Sequence, residues 1–286
     1  MSDLINLNTM SKQEIMKAIG QYSGGSEREN IIPRLTINRN PEDDNGNQLP
    51  IGHFTVYDSR ENKNYYGKAV TLRPFISGLQ YMHYDPEKTE YVNRSVIFSS
   101  WKEEAIDIQG GTKCNKVPYK ERDRLTAEEL AVQKQIRCYR LIYGLVSFDG
   151  VDAEGNAKKV TNFPVMWRVT GTSFKPVSDA IIELENKDKL MFTCTFKLES
   201  KRQKKGSNVF YVPVINANAE ANLKMSKEDV DTLQVFQNSI RAENEEVARL
   251  WKSAKGKKYN GEDAKSAEVV EELDDDLPDP AEMLSA

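Results

Sequence analysis

Cysteine and histidine are scarce in this chain. There are three cysteines, Cys114, Cys138 and Cys194, and two histidines, His53 and His83, among 286 residues. An odd set of widely spaced cysteines builds no disulfide framework and fits a reducing compartment. A zinc site needs several Cys or His ligands at close spacing, such as CxxC, and no such cluster occurs. The cysteines are therefore expected as small buried apolar side chains, and neither a metal nor another cofactor is expected. Long apolar runs are missing as well. No stretch reaches the ~20 apolar residues that span a bilayer. The first residues, MSDLINLNTM, lack the basic start and apolar core of a secretory leader. The expectation is a cytoplasmic protein with no membrane partner.

Local catalytic motifs are also missing. There is no GxSxG and no HExxH. The turn at Gly171 lacks the GK[ST] ending of a phosphate-cradling loop, and 110–113 lacks its spacing. Asp149, Asp152, Glu154, Gly155 and Asn156 superficially suggest a calcium loop. They lack the regular spacing and closing Glu of one, so a hairpin turn is expected there. The chain reads as a non-enzyme. The enzyme alternative is a metal-dependent nuclease or resolvase whose Asp and Glu ligands are scattered and leave no local motif. A phage structural or assembly protein is the third reading.

What is present is an uneven charge. Residues 261–286 hold ten acidic residues and one basic residue, Lys265, while the rest of the chain holds 39 basic and 34 acidic residues. The body is thus mildly basic and the tail strongly acidic, despite an overall net charge of −4. Such asymmetry points to nucleic acid or to an interaction tail.

Three regions follow from the pattern. Residues 1–30 read as an N-terminal arm: a short helix over 11–20, with Ser11 and Glu14 as a capping box, then a flexible linker. Self-association is one expected role for the arm. Residues 31–254 read as a strand-rich core. Strands are expected at 32–38, 53–57, 68–75, 79–84 and 91–99, and about five strands in roughly 70 residues favour a small barrel or sandwich. A helical insertion is expected within 102–138, where Thr126 and Glu129 form a second capping box. Strands resume at 139–148, 158–160 and 163–170, and a short helix is expected over 178–185. A hairpin at 190–198 and 209–214 follows, and then a C-terminal helix over 226–251. Residues 255–286 are dense in charge and poor in apolar residues, which predicts disorder. The expected fold class is mainly β with inserted and C-terminal helices, built on an OB-like barrel.

Strand binding needs cations for phosphates and flat rings for unpaired bases. The run 197–211 offers both. Lys201, Arg202, Lys204 and Lys205 cluster at the expected hairpin tip, with Phe210 and Tyr211 beside them. A second block, 57–94, is rich in tyrosine and carries Lys68, Arg73 and Arg94; Tyr65, Tyr66 and Tyr81 are its expected stacking rings. A third block is 167–176. Alternation buries Trp167 and turns Arg168 the other way, and Lys175 and Phe174 follow as groove candidates. In the tail, Asp274, Asp275, Asp276, Leu277, Met283 and Leu284 place sparse apolar side chains among acids, a pattern suited to docking in a partner's basic-rimmed pocket. A flexible polyanion of this kind also competes with nucleic acid for the body's own cations.

This layout resembles phage-type single-stranded DNA-binding proteins. The runs 67–105 and 165–176 are similar to uncharacterised phage proteins assigned near replication and recombination genes. The resemblance implies an OB-fold core. It implies sequence-tolerant coating and protection of unpaired strands in replication, recombination and repair. It also implies recruitment of replication or recombination proteins by the acidic tail, in the host cytoplasm if the chain is phage-encoded. The better-known zinc-bearing examples use a cluster of His and Cys that this chain lacks, so a zinc-stabilised version is not expected.

Overall fold

The computed structural model describes residues 32–259. The N-terminal arm and the acidic tail beyond Tyr259, including Asp274, Asp275, Asp276, Leu277, Met283 and Leu284, lie outside the described residues. The chain is mainly β, with a long C-terminal helix. Its strands are β1 (Arg34–Ile37), β2 (Phe54–Asp58), β3 (Lys63–Gly67), β4 (Ala69–Asp85), β5 (Glu90–Arg94), β6 (Ile136–Val151), β7 (Ala157–Val169), β8 (Thr195–Lys205) and β9 (Asn208–Asn218). The helices are α1 (Ala127–Gln135), α2 (Phe174–Asn186) and α3 (Lys227–Tyr259). Among the described residues no helix is long and apolar enough to cross a membrane.

The strands form one sheet in the order β3-β2-β1-β7-β6-β4-β8-β9, with β5 on β4. β1 and β7 run parallel; the other pairs are antiparallel. β3 also touches β6 through the pair Tyr66 and Val151, so the ladder bends back on itself at one point.

β6 is the central strand, and its sequence shows why. IRCYRLIYGLVSFDGV is apolar on both faces, as a strand covered on both sides must be. Ile142, Val146 and Phe148 join Leu35, Phe54, Val56, Trp167 and Phe196 in one core, which α2 closes with Val177, Ile181 and Leu184. Leu141, Tyr143 and Leu145 face the other way and meet Phe75 and Phe236, the latter from α3. A third cluster joins Leu79, Phe98, Cys138 and Phe174. At Gly144 an added Cβ would collide with the Arg73 carbonyl oxygen, so glycine lets β4 approach β6 closely where the ladder slips between Pro74 and Ile76.

Several expected elements merge. The two strands expected at 68–75 and 79–84 are one strand, β4. Pro74, in register with Gly144, is accommodated at the edge of the bulge that follows it. Gly78 marks close packing rather than a turn, since a Cβ there would lie 2.8 Å from Ile97 Cγ2. The strands expected at 158–160 and 163–170 are likewise one, β7, because Asn162 takes φ 46° and its N–H bonds Ser147 Oγ at 2.8 Å across a bulge. The expected turn between them and β6 is present: Asp152 accepts from the N–H groups of Glu154 and Asn156, and Gly155 sits at φ 82°.

The helices run longer than their patterns suggest. α2 starts at Phe174 rather than 178, because Pro176 lies in the first turn, where a helix needs no N–H. α3 continues past 251 to Tyr259, into the stretch assigned to the disordered tail; its Gly256 reads as a breaker but is carried through. The insertion is mostly 3-10 turns, at Lys113–Asn115 and Tyr119–Arg124. Its α-helix opens on the Thr126–Glu129 capping box, with Thr126 N–H bonding Glu129 Oε2 at 2.8 Å.

Candidate nucleic-acid interface

β8 and β9 form a hairpin whose outer half leaves the sheet. β4 pairs with β8 from Leu72 opposite Phe196 to Ala69 opposite Glu199, and the ladder from β4 ends there. Beyond Glu199 the only ladder partner of β8 among the described residues is β9, through to Lys205 opposite Asn208. The loop is two residues, with Gly206 at φ 63° in its first central position, as a tight turn matching strand twist requires. The basic run 201–205 therefore occupies the arm itself, and every residue of it is exposed.

Alternation divides the cations. Lys201, Gln203 and Lys205 share one face of the arm, and Arg202 and Lys204 the other. Among the described residues none of these four cations has an ion pair; the nearby contact is Lys197 with Glu199 at 3.5 Å, between exposed groups. Exposed pairs of that kind contribute little. The arm thus carries concentrated positive charge, and only Lys201 shares a groove with carboxylates, Asp179 and Glu183 of α2, among the described residues.

The base of the arm is fixed to the β1–β2 connection. Ser200 Oγ donates to the Gly52 carbonyl. Gly52 takes φ 80°, and a Cβ there would collide with the ring of Tyr211. The ring consequently lies on bare backbone and is half-exposed, opposite Arg202 in the ladder. Lys68 is exposed one residue before Ala69, the partner of Glu199. Burial, and then the charge of Lys68, hold the His53 imidazole below its ordinary pKa. His53 Nδ1 is buried without a hydrogen-bond partner. Lys68, Tyr211, Lys201, Arg202, Lys204 and Lys205 thus belong to one region. A groove between α2 and the β8–β9 hairpin is lined by Pro176, Ala180, Val212 and Ile215, with Asp179 and Glu183 on the helix wall and Lys201 on the arm.

The other expected contacts lie elsewhere. Tyr65 and Tyr66, expected as stacking rings, are buried at 3% and 4% exposure and have no open face. Tyr65 donates to Glu61, and Lys158 Nζ lies 4.9 Å above its ring. Tyr81 is half-buried and stacks on Phe98 at 6.0 Å, with its phenol pushed well above the usual range by burial. Phe174 is buried at the start of α2, against Trp101 and the Arg140 guanidinium. Lys175 pairs with Asp179 at 3.5 Å.

Arg73 and Arg94 are held by α3. Arg73 Nη1 bonds Asp229 Oδ2 at 2.8 Å, and Arg73 also donates to the carbonyls of Phe192 and Lys224. Arg94 Nε bonds Glu243 Oε1 at 2.6 Å. Burial opposes ionisation of Asp229, but the Ser226 N–H and the Arg73 guanidinium hold its carboxyl below the usual range.

Arg168 lies apart from the arm, with its guanidinium over the rings of Tyr139 and Tyr91 at 5.0 and 5.3 Å. Tyr91 and Tyr84 belong to the tyrosine-rich block but were not among the expected contacts, nor were Arg34 and Tyr139. The pairing of Tyr84 with Tyr91 across the β4–β5 hairpin is a signal that a register argument reaches. Among the described residues no group of three His, Cys, Asp or Glu side chains is placed to hold a metal ion. Compared with protein-family models, with curated proteins and with solved structures, the chain matches none.

Proposed function

We propose that this chain binds unpaired nucleic-acid strands without sequence preference, coating and protecting single-stranded DNA. The observation that supports this reading is the β8–β9 arm, with Lys201, Arg202, Lys204 and Lys205 exposed and without ion pairs among the described residues. Phosphates along a flexible strand displace counterions when they meet such cations, and the released ions drive association. Lys68 and the half-exposed Tyr211 ring at the arm's base extend the surface toward a base-stacking contact. In the same reading, β1, β2, β3, β6 and β7 form a partly open five-stranded barrel of the OB type, since β3 returns to β6.

Replication, recombination and repair in a phage-infected cell are the setting this proposal carries. The acidic tail recruits partner proteins there, and the N-terminal arm serves self-association. The test is a titration of the full chain against oligo-dT and a duplex of equal length at two salt levels. Tight strand binding that falls steeply with salt, with weaker duplex binding, is expected. Equal affinity for both forms, or affinity indifferent to salt, contradicts the proposal. Removing 261–286 is expected to raise strand affinity at low salt, because it removes ten acidic residues that compete for the same cations.

A further inference from the structure

The face of the sheet around Arg168 gathers side chains from five strands. Arg34 comes from β1, whose Cα pairs with Met166 in the parallel ladder. Arg168 comes from β7 and Tyr139 from β6, near the register pair Leu141 and Arg168. Tyr84 and Tyr91 face each other across β4 and β5. The contacts among the three tyrosines are close. The Tyr91 and Tyr139 hydroxyls are 3.3 Å apart, and the rings of Tyr84 and Tyr91 meet edge to face at 5.3 Å.

Three features of this cluster call for a ligand. The first is charge. Neither Arg34 nor Arg168 has an ion pair among the described residues; Arg34 is exposed, yet partial desolvation, and then the charge of Arg168, press its guanidinium below its ordinary pKa. An anion beside Arg34 would offset that effect. The second is hydrogen bonding. A guanidinium has five N–H donors, and the hydrogen bond Arg168 makes among the described residues goes to the thioether of Met82 at 3.2 Å. A thioether is a weak acceptor, so strong donors remain for an oxyanion. The third is exposure. Tyr91 is 41% exposed and Tyr84 37%, so aromatic surface lies open beside the cations.

We propose that this Arg34–Arg168–Tyr84–Tyr91–Tyr139 face is a second contact station for an unpaired nucleotide, in which the guanidiniums take a phosphate and an exposed tyrosine ring stacks on the base. It rests on the strand-binding reading above but uses different residues from the arm. The arm ladder begins where β4 begins, at Ala69, while Tyr84 lies at the far end of the same strand. The arm supplies mainly charge, and this face adds open rings to its two guanidiniums, so the two contribute differently. Charge responds to salt, whereas stacking does so much less.

The test is an oligo-dT titration of full-length variants, with thermal unfolding as the fold control and inorganic polyphosphate as a ring-free competitor. Tyr91→Leu is expected to weaken oligo-dT binding roughly tenfold, in the range one lost stack gives. Tyr91→Phe keeps the ring and is expected to retain affinity, which separates stacking from the hydroxyl contact to Tyr139. Arg34→Gln is expected to weaken oligo-dT and polyphosphate alike, and Tyr91→Leu only the former. If Tyr91→Leu unfolds, the more peripheral Tyr84→Leu takes its place. Unchanged oligo-dT affinity in folded Tyr91→Leu and Arg34→Gln overturns this station. If the Lys201, Arg202, Lys204 and Lys205 alanine variant is weakened in that case, strand binding itself still stands. Absence of any salt-sensitive strand binding by the unaltered chain removes both.

Discussion

Arg73 and Arg94 lie on the sheet face that α3 covers, and each is met by a carboxylate of that helix, Asp229 and Glu243. Lys201, Arg202, Lys204 and Lys205 lie on the β8–β9 arm, and among the described residues none is met by a carboxylate. The residue types are the same; their partners are not. A cation engaged by a buried acid is part of the fold, and taking it away leaves the acid stranded. A cation on an exposed arm costs the fold little to remove and keeps its charge for a ligand. Charge counted along the sequence does not separate the two; pairing does.

The comparison can be broken by mutation. The largest effect on stability is expected at Phe236, fully buried between α3 and the sheet against Phe75 and Tyr143. Phe236→Ala is expected to cost about 3–5 kcal/mol in denaturant unfolding. Arg73→Ala is expected to cost about 3 kcal/mol, because both side chains of the pair are largely buried and the Asp229 carboxylate is left unpaired. A variant that exchanges both partners for apolar residues recovers much of that loss if the cost is desolvation.

Arg94→Ala is expected to cost about 1 kcal/mol or less, since its pair with Glu243 is roughly one-third exposed at both ends. Acid sharpens the same contrast. The Asp229 pKa is lowered in the fold, so its contribution is present above its unfolded value and is lost as pH falls below about 4 through the folded value. An Asp229→Asn variant is expected to be less stable at neutral pH and to lack that part of the acid loss, read by circular dichroism across pH 2–6. The smallest stability effects belong to the arm. Single alanines at Lys201, Arg202, Lys204 or Lys205 are expected to shift stability by under about 0.5 kcal/mol.

How far the sequence discloses this follows from the range of each interaction. The hairpin of basic residues, the apolar-on-both-sides run of β6 and the Thr126–Glu129 cap are local patterns, and they are legible as written. So is the mainly β character with a C-terminal helix. The faces of Tyr65 and Tyr66 are not legible. Adjacent residues in a strand point to opposite sides, so one ring of such a pair is ordinarily open; both are buried here, at the place where β3 is paired by β2 and touched by β6. The Arg73–Asp229 and Arg94–Glu243 pairs are invisible for another reason: their partners are 156 and 149 residues apart, and nothing local marks them. Arg168 emerges from alternation in β7, but its ring partners come from β5 and β6 and need the sheet order to be found. The merged strands β4 and β7 were hidden by Gly78 and Asn162. Each reads as a breaker and serves instead at a close contact, Gly78, or a bulge, Asn162.

The most direct measurement is the salt dependence of oligo-dT binding, compared between the unaltered chain and a variant with Lys201, Arg202, Lys204 and Lys205 all changed to alanine. If the arm carries the phosphates, the variant's plot of log affinity against log salt is flatter by about 3, at roughly 0.7 for each cation removed, with the unfolding midpoint little changed. An equal slope in both proteins, with both folded, would contradict the account.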